Sequence, residues 1–183
     1  MPSAIGHAIF AISLSPFRPY KNKLLPSLIL AMVCSTIPDL DVIGFEAGIP
    51  YSSLMGHRGF THAIFFAILT GILVSYLFFN EQCKTYLDRI QISFFFFIIT
   101  ISHGLLDAMT DGGLGVGFFI PFYNERFFFS YRPIPVSSMH IEVFFTNVGF
   151  SILKQELKFI GFISCFVVAS GYYWRKYIFD KET

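Results

Sequence analysis

Ile90-Gln91-Ile92-Ser93-Phe94-Phe95-Phe96-Phe97-Ile98-Ile99-Thr100-Ile101-Ser102-His103-Gly104-Leu105-Leu106 runs without a single Lys, Arg, Asp or Glu until Asp107 closes it. Crossing the hydrocarbon core of a bilayer takes about 20 apolar residues in a helix, with a lower limit near 17. Residues 90–106 meet that limit, with four consecutive phenylalanines at their centre. Ionisable groups beside hydrocarbon are costly unless compensated. His103 and Asp107, at the end of this run, therefore read as functional groups.

The rest of the chain has the same character. Hydrophobic residues make up 54% and charged residues only 14%, where soluble domains carry about 25% charge. Twenty-five phenylalanines are more apolar rings than a water-facing surface of 183 residues can hide. Residues 60–79 form a second uncharged run of spanning length. A third, 159–174, is slightly short but ends in Tyr172, Tyr173 and Trp174, which suit a membrane interface. A fourth, 24–37, stops at Pro38, and residues 4–14 are too short to span alone. The expected fold is all-α: a single domain over 1–183, an integral membrane bundle of about four to five membrane-embedded helices. No internal repeat is visible. Residues 4–14 lack a preceding positive region and carry His7, so they read as mature protein and not as a cleaved signal. Net charge is +1, which gives no electrostatic case for nucleic acid. Cys34, Cys83 and Cys165 form no C-x-x-C pair and read as small buried hydrophobes.

Charge orients the segments. Arg18, Lys21, Lys23, Lys84, Arg89, Arg175, Lys176 and Lys181, eight of the thirteen basic residues, gather on one side if the helices alternate. The positive-inside rule makes that side cytoplasmic. The other side receives 44–59 and the long segment 108–158, with an amphipathic helix expected near 141–153.

The polar residues fall in a few blocks, namely His7, Pro38-Asp39-Leu40-Asp41, Gly56-His57-Arg58-Gly59-Phe60-Thr61-His62, Ser102-His103 with Asp107 to Gly113, and His140 with Glu142. In the expected topology the acid pair ends one segment, the histidine pair opens the next, and the His103/Asp107 block closes the one after. Independent segments thus bring their polar groups to one non-cytoplasmic layer. His103 and Asp107 are four apart, hence on one helix face and able to chelate one ion. His57 and His62 are five apart, about 140° around a helix, so only a loop through Gly56 and Gly59 would join them. Asp39 and Asp41 follow Pro38, where either could be presented by a turn. Mixed nitrogen and oxygen donors suit zinc, manganese or iron better than calcium. Arg58, Arg126 and Arg132 read either as interfacial anchors or as bidentate phosphate binders.

At these blocks the chain resembles the YdjM-type family of membrane-bound metal-dependent hydrolases. The residues that carry the resemblance are Pro38-Asp39-Leu40-Asp41, Gly56 to His62, Ser102 to Asp107 continuing to Asp111-Gly112-Gly113, and Phe119-Ile120-Pro121-Phe122 with Arg126-Phe127. The match extends from about His7 to Ser137. That family is more remotely similar to zinc-dependent phospholipases C and single-strand nucleases, all-helical enzymes that hydrolyse phosphodiesters at clusters of up to three zinc ions. The similarity implies that His103 and Asp107 are a ligand pair, that His7 stands for an N-terminal histidine, and that Asp39 or Asp41 stands for a bridging aspartate. A later H-x-x-x-E pair has no counterpart, because Phe144 follows four residues after His140 and the nearest acid is Glu142. One or two ions are therefore expected.

The resulting expectation is a membrane-bound metal-dependent hydrolase of the bacterial inner membrane, acting on a phosphoester of a lipid or lipid-linked substrate. Its expected metal ligands are His7, Asp39, Asp41, His57, His62, His103 and Asp107, with zinc as the ion and manganese or iron as substitutes. Asp39 or Asp111 would orient the attacking water, and Arg58, Arg126 and Arg132 would meet the phosphate. The alternative is a non-enzymatic, metal-stabilised membrane protein that binds a lipid or a protein partner. A metalloprotease would need H-E-x-x-H, which the chain lacks. A di-iron lipid oxygenase would need more histidines than five.

Overall fold

The computed structural model describes residues 1–137 and 141–179. Its helices are α1 (Ala4–Ser13), α2 (Leu24–Thr36), α3 (Ile43–Glu46), α4 (Ile64–Phe78), α5 (Tyr86–Ala108), α6 (Ile141–Phe144) and α7 (Asn147–Trp174). Among the described residues there is no strand, only two isolated bridges, Thr110–Ile134 and Val116–Phe127, in the long connection after α5.

Local chemistry sets the boundaries. Ser3 caps α1 by accepting from the Gly6 N–H, and Thr146 caps α7 by accepting from Gly149. Thr85 and Asp88 form a reciprocal capping box that starts α5 four residues before the apolar run itself. Pro38 does not end the 24–37 segment as expected. Proline is tolerated in a first helical turn, where its missing N–H is not needed, and the chain tightens into a 3₁₀ turn over Ile37–Val42 and continues into α3. The apolar helical stretch is therefore Leu24–Phe45. Residues 60–79 do not form one helix either, since Phe60–His62 are a separate 3₁₀ turn and α4 starts at Ile64. The helix expected near 141–153 is broken between α6 and α7, where Thr146 caps the longer element, and α7 runs from there through the whole 159–174 segment.

Two helical stretches, Leu24–Phe45 and Tyr86–Ala108, are long and apolar enough to cross a membrane, and Ala4–Phe17 and Ile64–Phe78 are shorter apolar neighbours. α1 packs on α2 and α7, α2 on α5, and α5 on α4. The exposed side chains of α4 are Phe65, Ile68, Leu69, Ile72, Leu73, Tyr76, Leu77 and Phe78, a surface suited to lipid. Its inward face carries small residues, Ala67, Gly71 and Ser75, so the backbones of α4 and α5 approach closely, and the Ser93 hydroxyl donates to Ser75 at 2.8 Å. Phe79, Phe95, Phe96, Ile92 and Ile99 fill the core between α1, α2, α4 and α5. Of the cysteines only Cys34 is buried; Cys83 is intermediate and Cys165 is exposed, which corrects the expectation that all three are interior.

The helices alternate as the charge pattern requires. Arg18, Lys21 and Lys23 sit in the α1–α2 connection, Lys84 and Arg89 around the start of α5, and Arg175 and Lys176 after α7, while Lys181 lies outside the described residues. Arg175 ties that end together by donating to the carbonyls of Pro16, Arg18 and Tyr20. The start of α1, the end of α2, the start of α4 and the end of α5 meet at the opposite end.

At Gly71 an added Cβ would collide with the Ser93 carbonyl and the Phe97 nitrogen, whereas at Gly161 of α7 it would meet open space. Gly71→Ala should therefore cost about 1–3 kcal/mol by forcing α4 from α5. Gly161→Ala should be neutral or stabilising by up to about 1 kcal/mol. Thermal unfolding in detergent checks both.

Candidate metal centre

Four donors from three elements converge at that end. His103 and Asp107 come from one face of α5, Asp39 from the 3₁₀ turn after α2, and His62 from the 3₁₀ turn before α4. His103 Nε2 lies 3.0 Å from His62 Nε2 and 3.2 Å from Asp39 Oδ1. His62 Nε2 lies 3.4 Å from Asp107 Oδ2 and 3.6 Å from Asp39 Oδ1. His103 and Asp107, four residues apart, present Nε2 and Oδ2 at 3.9 Å. The side chains of His62, His103 and Asp107 are fully buried, and that of Asp39 is 13% exposed.

Hydrogen-bond partners assign the tautomers. His103 Nδ1 is 2.6 Å from the Ser35 carbonyl oxygen, which only accepts, so Nδ1 carries a hydrogen. His62 Nδ1 faces Asp41 Oδ2 at 3.2 Å and the Thr61 hydroxyl at 3.1 Å. Thr61 donates its own hydrogen to Asp41 at 2.7 Å, so His62 Nδ1 is again the donor. With both rings neutral, the lone pairs of both Nε2 atoms point into the same space. In that state two lone pairs and two carboxylates facing each other without water repel, a conflict that a metal ion at their centre or a proton on one Nε2 would remove.

His7, from the first turns of α1, is stacked on His103 with ring centroids 3.8 Å apart, and its Nε2 is 3.5 Å from Asp107 Oδ1. Both its ring nitrogens, Asp39 Oδ1 and both Asp107 oxygens are buried without a hydrogen-bond partner. Beside this group lies a second, Asp41, His57 and His62. In a 3₁₀ turn of three residues per turn, side chains two apart point roughly 120° from each other, so Asp39 and Asp41 face different partners. His57 Nδ1 lies 2.7 Å from Asp41 Oδ1. His57 and His62 thus meet around one carboxylate, with ring centroids 5.5 Å apart. The loop of Gly56 and Gly59 permits this, with Arg58 itself in the left-handed region at φ 61. Tyr51 packs edge-on against His57, and burial pushes its phenol pKa up.

The three arginines are placed differently from one another. Arg58 is buried, with Nε 3.1 Å from Asp107 Oδ2, Nη1 donating to the Gly112 carbonyl at 2.9 Å and Nη2 to Thr110 Oγ1 at 3.0 Å. Nη1 and Nη2 thus anchor the turn after α5, while Nε, without a hydrogen bond of its own, balances the charge of Asp107. Gly113, at φ 90, leaves space where a Cβ would meet this guanidinium. Arg126 donates to the carbonyls of His57, Tyr51 and Ser53 and so holds the histidine loop. Arg132 is exposed, over the Phe128 ring. Asp111 is also exposed; its Oδ1 accepts from the Val136 N–H, and it belongs to neither donor group. His140 lies outside the described residues, and Glu142 is exposed on α6.

Glu156 escaped the sequence reading. It is fully buried on α7 and accepts from the Ser3 N–H through both oxygens, at 3.0 Å each, and from the Ser3 hydroxyl at 2.8 Å. It thereby holds the start of α1, and with it His7. Between Lys154 and Lys158 it looks like part of a solvated face. The detectable signal was its spacing, four residues before buried Ile160 and eight before buried Ser164.

Comparison with known proteins gives two matches. A family model described as YdjM inner membrane protein matches residues 1–180. The inner membrane protein YbcI of Escherichia coli (strain K12) is 30% identical over 178 residues, covering 96% of this chain and 99% of that protein. No solved structure matches.

Arg58→Met should cost about 3–5 kcal/mol, because it leaves Asp107 as an uncompensated buried charge. Arg132→Ala, at an exposed position, should stay within about 0.5 kcal/mol of the parent. Unfolding midpoints of the two variants, compared in one detergent, check this.

Proposed function

The chain belongs to the YdjM inner membrane protein family, and on that footing we propose that it is a membrane-bound metal-dependent hydrolase that cleaves a phosphoester of a lipid or lipid-linked substrate. The observation that carries the proposal is the convergence of His62 Nε2, His103 Nε2, Asp39 and Asp107 on one point.

The donor set fits zinc, with manganese or iron as substitutes. A tetrahedron with bonds of about 2.0–2.1 Å has donor–donor edges of about 3.3–3.4 Å. Five of the six separations here run from 3.0 to 3.9 Å around that value, and the sixth, between Asp39 and Asp107, is within 4.8 Å. A zinc ion held there would need a further position for the water it would acidify and the phosphoryl oxygen it would polarise. Asp39 is the one donor of the four with an exposed edge, so water and substrate would approach on its side. The second carboxylate oxygen of Asp39 would take the proton of the attacking water. Asp111, engaged with Val136, has no part in this reading. Arg58 pairs with Asp107 and holds it in place and does not itself grip the substrate. The basic end of the bundle lies in the cytoplasm by the positive-inside rule, which turns the cluster towards the non-cytoplasmic face, where lipid head groups are presented.

One observation favours a second reading, an ion that serves stability alone: three of the four donors have no exposed surface. Phosphate release from a panel of phospholipids and isoprenoid phosphates, with and without chelator, separates the two. The hydrolase reading expects chelator-sensitive release that His103→Ala abolishes together with bound metal. Stoichiometric metal with no release from any substrate would leave the structural ion.

A further inference from the structure

The metal reading treats Asp39 and Asp107 as ligands and leaves open what the second acid of the Pro38-Asp39-Leu40-Asp41 block does. Building on that reading, we infer that Asp41 is a positioning residue, whose carboxylate fixes the tautomer and ring orientation of His62 and leaves the ion to other donors.

A carboxylate offers about four lone-pair sites, and four groups point at Asp41. His57 Nδ1 takes Oδ1 at 2.7 Å; the Arg58 N–H at 3.1 Å, the Thr61 hydroxyl at 2.7 Å and His62 Nδ1 at 3.2 Å take Oδ2. Its side chain is only 3% exposed. A second ion among Asp41, His57 and His62 would have to displace hydrogens on both Nδ1 atoms and break the contacts from Arg58 and Thr61. Those contacts are built into the left-handed backbone at Arg58 and the 3₁₀ turn that follows. The Asp41 carboxylate is therefore saturated by donors and within the knot only the far nitrogen of His57, Nε2, lacks a hydrogen bond, whereas in the neighbouring group Asp39 Oδ1 and both Asp107 oxygens lack one.

His103 is held in the same way by different means. Its Nδ1–H is fixed by the Ser35 carbonyl at the end of α2, while His62, in a loop, has no such backbone oxygen. Metal-bound histidines commonly donate their second nitrogen to a carboxylate or carbonyl, and losing that partner typically weakens metal binding 10- to 100-fold. The pair Asp39 and Asp41 thus divides into a ligand and its neighbour's support, and the 3₁₀ turn that sends them in different directions is what divides them.

The test uses the full chain in detergent with zinc alone as probe, titrated against a chromophoric chelator. Asp41→Ala should bind as much zinc as the parent, about 10- to 100-fold more weakly. Asp41→Asn, which keeps one acceptor oxygen, should lose less, and Asp39→Ala should lose the stoichiometric zinc. An unchanged affinity in Asp41→Ala, or a loss of stoichiometry equal to that of Asp39→Ala, overturns the assignment. If Asp41→Ala does not fold, Asp41→Asn decides: weaker binding at full stoichiometry supports it, and unchanged affinity or lost stoichiometry overturns it. A second readout needs no ion. In ¹⁵N-histidine spectra, assigned with His62→Gln, the His62 Nδ1–H signal should be present in the parent and lost in Asp41→Ala; its persistence overturns the assignment. A parent that binds no zinc would remove the metal reading while this spectrum still decides the role of Asp41.

Discussion

Two imidazole nitrogens stand 3.0 Å apart, each on a ring whose other nitrogen has already committed its hydrogen elsewhere. Neutral rings in that arrangement oppose their lone pairs, and the carboxylates of Asp39 and Asp107 close the same space from the other sides. In water such a conflict would be dissolved by solvent. Here three of the four groups are sealed from it, so the protein must supply order around the cluster, and a metal ion or a proton on one Nε2 would relieve the conflict within it. Much of the surrounding architecture serves that constraint. Ser35 and Asp41 hold the rings from behind, Arg58 faces Asp107, and Glu156 pins the helix that carries His7.

The membrane setting makes this support necessary and also makes it feasible. Lipid competes for apolar contacts as well as protein does, so helices in a bilayer associate through close packing and polar bonds. The small face of α4 against α5 provides the packing, with Ser93 and Ser75 bonded across it. Because α4 and α5 are locked together, His62 at the start of one and His103 and Asp107 at the end of the other keep a fixed separation. The polar load is concentrated where the helices end, and the exposed flanks stay apolar.

Irregular backbone does the fine placement. The 3₁₀ turn after α2 lets the chain pass Pro38 and splits its two aspartates between adjacent tasks. The left-handed Arg58 bends the histidine loop so that His57 and His62 share a carboxylate, and it sends the guanidinium under α5 to Asp107. Arg126 closes the loop from outside through three carbonyls. None of these residues follows a helical period, which is why periodicity alone is silent about them.

Read by itself, the sequence determined the solvent and the chemistry. The uncharged run before Asp107 is long enough to cross a bilayer, the alternating basic clusters set which helix ends lie together, and the four-residue spacing of His103 and Asp107 put two donors on one face. These follow from composition, length and the helical repeat, properties that each segment carries alone. Only the tertiary structure decided which acid faces the imidazoles and which one holds a ring from behind. It alone turned Arg58 inward to Asp107 and left Asp111 on a turn outside the cluster, and it buried Glu156 against Ser3. Each of these depends on the direction of a side chain leaving irregular backbone, or on which partner a distant segment offers. A chain written in one dimension does not state such relations until packing has selected them.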